Sequence, residues 1–321
     1  MPAPACTDAE LIELIETHGL EGTSRRLGIS SRSIASRRRR IEERLSRRIN
    51  TPEHPRAHPI ESHPPRIYIE VATGVVIVGS DGHYWPGKPT TAHRALVKFT
   101  KTMNPRAVIM NGDAFDGSAV SRHPVAGWEK LPTVQEELEA VQERLHEIEL
   151  AAPRGCRTIW PLGNHDWRYE SRIAQVAPEY AGVHGTSLKH HFPNWEPCLA
   201  CWINDSAPNK ADAVVVAHSF KGGEHAPHNN ALRSGRSFIT GHLHSPKVDP
   251  ITDYNGTRFG VDAGMLADPY GPQFSYAKDN PRQWRSGFAV LTFKDGRLLM
   301  PELVTVWSEN EVQFRGELIR V

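Results

Sequence analysis

Five short apolar runs recur along the chain, and each one is followed directly by a polar segment that contains aspartate, asparagine or histidine. Those segments are Asp81-Gly82-His83, Asn111-Gly112-Asp113, Gly163-Asn164-His165-Asp166, His218-Ser219 and Gly241-His242-Leu243-His244. Short apolar runs that end at turn residues are typical of buried strands. Because ligands collect at the carboxyl ends of strands in open α/β sheets, this pattern predicts an α/β fold with its polar donors gathered at one edge.

The donors in these segments are carboxylate, amide and imidazole groups, which suit borderline divalent metals such as Mn²⁺, Fe²⁺ and Zn²⁺. A single Gly-Asp pair would more simply cap a helix, but its repetition at successive strand ends favours a metal site. The cysteines stand outside these segments, and the pair Cys198 and Cys201 has no partner pair that would complete a zinc site. Reduced, partly buried thiols are therefore expected.

In their order along the chain, these segments resemble the five motifs of the calcineurin-like metallophosphoesterases. The resemblance covers residues 81–244 and continues to about residue 295. Within it, residues 262–266 and 280–290 are most similar to members carried by phages and prophages. One departure is Ser219, which stands where many members have glycine after the histidine.

The resemblance implies a site for two divalent metal ions. It assigns the first ion to Asp81, His83, Asp113 and His244, and the second to Asp113, Asn164, His218 and His242. Asp113 would then bind both ions. Mn²⁺ is the expected metal, with Fe, Zn, Ni or Mg as alternatives.

The same motifs imply catalytic roles for His165 and Asp166. His165 would approach the phosphate and either protonate the leaving group or stabilise the transition state. Asp166 or Asp116 would hold its imidazole in position. Arg122, His123, Arg168, His225 and His228 are further candidates for the cleft, and a surface or structural role suits each of them at least as well.

The N-terminal segment has a different character, because residues 22–48 carry ten arginines and two glutamates, whereas the whole chain has a net charge of +1. The pattern predicts a helix over residues 8–18, a short second helix, a turn at 28–30 and a basic helix over 31–45. This is the layout of a helix-turn-helix. Arg32 and residues 37–40 would face phosphates, and Ser31, Ser33 and Ser36 would face base edges. The alternative is a basic helix that docks on the enzyme domain or on a partner.

These observations divide the chain into a helix-turn-helix over residues 1–49, a Pro- and His-rich linker over 50–66 and a phosphoesterase domain over 67–321. Strand and helix alternate up to His244, with helices expected at 93–103 and 133–150, and the chain ends in strands. Residues 168–212 are expected to form an insertion at the cleft. The resemblance implies a four-layer αββα sandwich for the domain.

The expected function is a metal-dependent phosphoesterase that acts on a phosphoester, with nucleic acid as a partner through residues 22–48. Two alternatives remain: a DNA-binding regulator that uses the fold as a scaffold, and an enzyme for small phosphoesters. No apolar stretch is long enough to span a membrane and the N-terminus lacks a signal-peptide core, so a cytoplasmic protein is expected. The oligomeric state stays open.

Overall fold

The structure is a computed structural model that describes residues 6–51, 63–122, 130–277 and 282–321. The chain divides into two compact units, Met1–Ile60 and Glu61–Val321. His54 and His58 of the expected linker, His123 and residues 280–281 lie outside the described residues. His63 and Pro64, also expected in the linker, pack within the second unit: His63 is buried beside Glu170, and the Pro64 carbonyl accepts from the Leu199 N–H.

The first unit is helical. Its helices are α1 (Asp8–Leu27) and α2 (Ser31–Leu45). Thr7 and Glu10 form a capping box at the start of α1, and Gly19 interrupts α1 with a left-handed backbone, so that three helical segments result. The segments enclose a small apolar core of Leu11, Ile15, Ile34, Ile41 and Ile49.

The second unit is mixed α/β. Its described helices are α3 (Thr91–Met103), α4 (Val134–Ala151), α5 (Trp167–Val176), α6 (Leu188–His191) and α7 (Ala226–Ser234), with 3₁₀ helices at Ser118–Val120, Pro178–Tyr180, Lys210–Asp212 and Pro272–Ala277. Its strands are β1 (Ile67–Ile69), β2 (Gly74–Gly79), β3 (Ala107–Met110), β4 (Arg157–Pro161), β5 (Glu196–Cys198), β6 (Cys201–Ile203), β7 (Val214–Val216), β8 (Ser237–Thr240), β9 (Lys247–Asp253), β10 (Gly256–Asp262), β11 (Gly287–Lys294), β12 (Arg297–Leu298), β13 (Glu302–Ser308), β14 (Glu311–Phe314) and β15 (Glu317–Arg320).

The strands form two mixed sheets. Sheet one has the order β1-β6-β7-β8-β10-β9, and sheet two has the order β15-β14-β13-β11-β2-β3-β4-β5, with β12 paired to β11. The five apolar runs are β2, β3, β4, β7 and β8, which confirms the α/β class. Strands β2, β3, β4 and β5 are parallel to one another, as are β7 and β8. Their carboxyl ends therefore lie on a common edge within each sheet.

Side-chain alternation along β2 separates two apolar clusters. Val76 and Val78 belong to a cluster that also contains Val214 and Ile239 of sheet one. Ile77 points the other way, into a cluster that contains residues of α3 and α4, among them Leu96, Phe99, Val141 and Leu145. Burying each of these side chains contributes about 1.5–3 kcal/mol, so both faces of sheet two hold β2 in place.

The segment 168–212 differs from the expected insertion. Its strand β5 forms one end of sheet two, its strand β6 lies between β1 and β7 in sheet one, and Trp195 is buried in the core. Cys198 and Cys201 are buried free thiols, as expected. Burial raises the pKa of Cys198 to about 12. Among the described residues, every helix is too short or too polar to cross a membrane.

Candidate metal centre

The loops that follow β2, β3, β4, β7 and β8 bring donors from both sheets together. Six of the seven side chains expected to bind metal fall into two groups. The first group is Asp81, His83 and His244, and the second is Asp113, His218 and His242. Within each group the donor atoms lie within 4.8 Å of one another, so each group could hold a metal ion.

Asp113 belongs to the second group and also reaches the first. Its Oδ2 is 3.2 Å from His218 Nε2 and 3.8 Å from His83 Nε2. In the first group, His244 Nε2 donates to Asp81 Oδ1 over 3.0 Å. Five of the six side chains are buried, and His242 is the exposed one. One carboxylate therefore has both donor groups within reach, which is compatible with a dinuclear site.

The imidazoles of His83 and His218 fit a metal in a specific way. Their Nε2 atoms are buried and make no hydrogen bond of good geometry within the described chain, although Asp113 Oδ2 lies 3.2 Å from that of His218 and 3.8 Å from that of His83. Their Nδ1 atoms are held by protein acceptors: His83 donates to Asp116 Oδ1 over 2.8 Å, and His218 donates to the Asn111 carbonyl over 2.9 Å. An outer acceptor of this kind fixes the tautomer of a metal-binding histidine and aims its other nitrogen at the ion.

Three glycines leave room for the carboxylates and imidazoles. A Cβ on Gly163 would lie 2.1 Å from Asp113 Oδ1, and one on Gly241 would lie 2.3 Å from Asp81 Oδ2. A Cβ on Gly112 would lie 2.4 Å from His218 Nδ1. Any larger residue at these positions must therefore displace a donor.

The donors occupy an uncommon backbone conformation. Asp81, His83, Asp113, His242 and His244 all have positive φ, between 37° and 70°. Non-glycine residues adopt this left-handed region rarely and at a cost in free energy. Five of the expected ligands therefore share a backbone conformation that the rest of the fold must hold in place.

The electrostatics of the site favour ionised carboxylates. Burial opposes ionisation of Asp113, but His218, His165 and His83 hold the pKa of its carboxyl below the usual value. Burial likewise opposes a charge on His218, yet Asp113 and Asp81 raise the pKa of its imidazole to about 10. A metal ion would compete with this proton, so metal binding should release protons.

His165 lies beside Asp113 and is held by its neighbours. Its backbone N–H donates to Asp113 Oδ1 over 2.8 Å, and its side-chain Nε2 is 4.0 Å from Asp113 Oδ2. Its Nδ1 contacts the carbonyl and Oδ1 of Asp116 at 2.9 and 3.1 Å, and Arg168 donates to its Nε2 over 3.0 Å. Burial opposes the protonated form, but Asp116 and Asp113 raise the pKa of the imidazole above its ordinary value.

Of the two carboxylates expected to hold this imidazole, Asp116 is the one that contacts it. Asp166 instead accepts hydrogen bonds from the N–H groups of Asp113, Phe115 and Gly163 and from Trp160 Nε1, at 2.7–3.0 Å. It therefore ties the loop after β3 to the loop after β4. Burial and the nearby Asp113 raise the pKa of its carboxyl to about 7.

The remaining candidates are less engaged with the site. Asn164 is exposed, and its role as a ligand stays a prediction. Arg168 donates to the Asp116 carbonyl as well as to His165. Arg122 and His225 are exposed, and His228 lies 3.4 Å from Asp249.

Aromatic side chains that no sequence motif predicted pack against two of the histidines. The Phe274 ring lies 5.1 Å from His83 and 5.7 Å from His244, and Trp284 lies 4.7 Å from His244. These aromatic residues come from a segment without strand or helix periodicity. No protein-family model matches the chain, and a search of curated proteins found no match.

Proposed function

We propose that the chain is a two-metal phosphoesterase of the calcineurin-like type. The observation that carries this proposal is the pair of donor groups, with Asp113 in one group and within reach of the other, and with His165 adjacent. When bound, two divalent cations would neutralise phosphoryl charge and lower the pKa of an attacking water. Mn²⁺ is the first ion to test.

The protein's own side chains would then perform three tasks. Asp81, His83 and His244 would hold one cation, and Asp113, His218 and His242 would hold the other, with Asn164 as a further donor. Asp116 would orient His83 and His165 together, because it contacts both imidazoles. His165 Nε2 would deliver the proton to the leaving oxygen once substrate displaces the Arg168 guanidinium, which donates to that nitrogen in this structure.

A four-layer αββα sandwich is part of this proposal. The cluster shared by the two sheets supports the inner layers. The cluster with α3 and α4 supports one outer layer, and Ala231 of α7, packed with Val215 and Phe238 of sheet one, supports the other.

For the first unit we propose a helix-turn-helix that binds nucleic acid, with α2 as the recognition helix. Arg32, Ser36, Arg39 and Arg40 are exposed and follow the spacing i, i+4, i+7 and i+8, so they share one face of α2. Such a face of cations and hydroxyls suits contact with phosphates and base edges.

Other side chains of α2 stabilise the unit itself. Arg37 donates to Asp8 and to the Cys6 carbonyl, and Arg38 donates to Glu42 and to the Ile49 carbonyl. Ser31 donates to Glu21. The expectation that residues 37–40 all face phosphates is therefore narrowed to Arg39 and Arg40.

The test is hydrolysis of bis-p-nitrophenyl phosphate with added Mn²⁺. We expect Asp113→Asn and His165→Gln to lose most of the activity, while the control His146→Gln, an exposed histidine on α4, keeps it. Equal turnover by the wild type and Asp113→Asn would end the proposal. If the wild type binds Mn²⁺ but hydrolyses no ester, the result would favour the alternative of a DNA-binding regulator that uses the fold as a scaffold.

A further inference from the structure

A cavity of about 660 Å³ opens beside the first donor group. Gly82 and His83 line it, so it begins at the metal centre. One wall is the segment 84–92 after β2, and the facing wall combines residues 268–273 with 284–286. The volume lies within the range of roughly 300–1,000 Å³ that is usual for small-molecule sites.

The walls of this cavity carry aromatic side chains. Trp85 is half-buried and Tyr270 is 92% exposed. In the part of the chain that the structure describes, neither ring has a ring-to-ring contact or a side-chain hydrogen bond. Trp284 completes the lining and is fixed, because its ring packs on His244 and on the Arg282 guanidinium, which lies 4.4 Å from its centroid. Two aromatic faces are therefore available beside the donors.

The charges of the cavity complement a phosphate chain. Arg94 is engaged with the Pro89 and Glu309 carbonyls, and Arg144 with Glu147. Lys88 and Arg285 also line the cavity, and neither side chain has a hydrogen-bond or ion-pair partner among the described residues. These two cations are free to pair with phosphates that flank the scissile one.

We propose that this cavity binds the base of a nucleotide whose phosphate lies at the metal centre. The proposal rests on the phosphoesterase function proposed above and narrows its substrate to nucleotide esters, including a single strand of nucleic acid. Unpaired aromatic rings beside free cations are the features that bind unstacked bases with little sequence preference, because every base has a π face.

The first test compares two esters with the same leaving group: thymidine 5′-(p-nitrophenyl) phosphate, which has a base, and methyl p-nitrophenyl phosphate, which has none. The full chain should prefer the thymidine ester in kcat/KM. In the double variant Trp85→Ala/Tyr270→Ala the ratio of the two kcat/KM values should fall at least about fivefold, since one stacked base contributes that much or more.

A matched control is Tyr254→Ala, which removes a fully exposed tyrosine from the β9–β10 turn and lies outside the cavity lining. This variant should keep the wild-type ratio. An unchanged ratio in the double variant would overturn the inference and leave the phosphoesterase function intact.

If neither ester is cleaved, the proposed phosphoesterase function fails. A second measurement then tests the base-binding cavity separately. Anisotropy of 5′-fluorescein pentathymidylate is measured in EDTA with the full chain. Binding at least about fivefold weaker in the double variant than in Tyr254→Ala would support a base site without hydrolysis. Equal affinity in the two variants would overturn it.

Discussion

A single methyl group added at Gly163 should displace the Asp113 carboxylate. The Cβ of Gly163→Ala would lie 2.1 Å from Asp113 Oδ1 and 2.6 Å from the Asp113 backbone nitrogen. An ordinary contact needs about 3.5 Å, so the carboxylate must retreat by more than about 1 Å. It cannot do so freely, because Oδ1 accepts from the His165 N–H and the Asp113 N–H is held by Asp166.

A misplacement of about 1 Å at a reacting centre costs on the order of 10²-fold in rate, which is about 2.7 kcal/mol of transition-state stabilisation. We therefore expect Gly163→Ala to lose about 10²-fold in kcat/KM and to bind Mn²⁺ more weakly. Hydrolysis assays and calorimetric Mn²⁺ titration measure the two effects.

Gly222→Ala is the control for this experiment. Gly222 has nothing within 4 Å of its added Cβ and lies just beyond His218 in sequence. It should behave as the wild type. If the Mn²⁺ affinity and the rate of Gly163→Ala also stayed within about threefold of the wild-type values, then a Cβ at this position would not displace the Asp113 carboxylate as expected.

Three further perturbations test other parts of the structure. Asp116→Asn should lower Mn²⁺ affinity or turnover by about 10–100-fold, because it loosens both imidazoles; unchanged titrations and rates would contradict this. Arg39→Ala/Arg40→Ala should weaken DNA binding and reduce the slope of log K against log salt by about 2, whereas an unchanged slope would remove these residues from the interface. Burial raises the pKa of Glu137 from 4.5 to about 7, so ionisation lowers wild-type stability as pH rises through this range. The difference in unfolding free energy between Glu137→Gln and the wild type, measured in EDTA, should therefore grow by roughly 2–3 kcal/mol in favour of the variant between about pH 5 and pH 8. For exposed Glu139→Gln, the same difference should stay constant over this range.

Much of the fold follows from local pattern in the sequence. The runs that became β2, β3, β4, β7 and β8 are apolar over their whole length because both faces of these strands are covered. The polar segments that follow these strands contain six of the predicted ligands, and the structure brings these six into groups that could hold a metal ion, since parallel strands end at the same edge. The break in α1 at Gly19 was likewise visible as a helix stop.

Contacts between distant loops were beyond the sequence pattern. Asp116 and Asp166 both follow donor motifs, and only the meeting of the β3 and β4 loops decides which of them touches His165. The same holds for Arg37, whose inward direction depends on Asp8 at the start of another helix. Hydrophobic periodicity predicts which residues of one helix or strand are buried. Which polar side chains contact each other depends on how two such elements pack together.

The most direct test of the dinuclear centre is the number of Mn²⁺ ions bound per chain, measured by equilibrium dialysis with elemental analysis. We expect two ions in the wild type, two in the exposed control Asp295→Asn, and a clear loss in Asp113→Asn, because Asp113 belongs to one donor group and lies within reach of the other. A wild-type chain that binds none, or an Asp113→Asn variant that still binds two with unchanged affinity, would contradict the account.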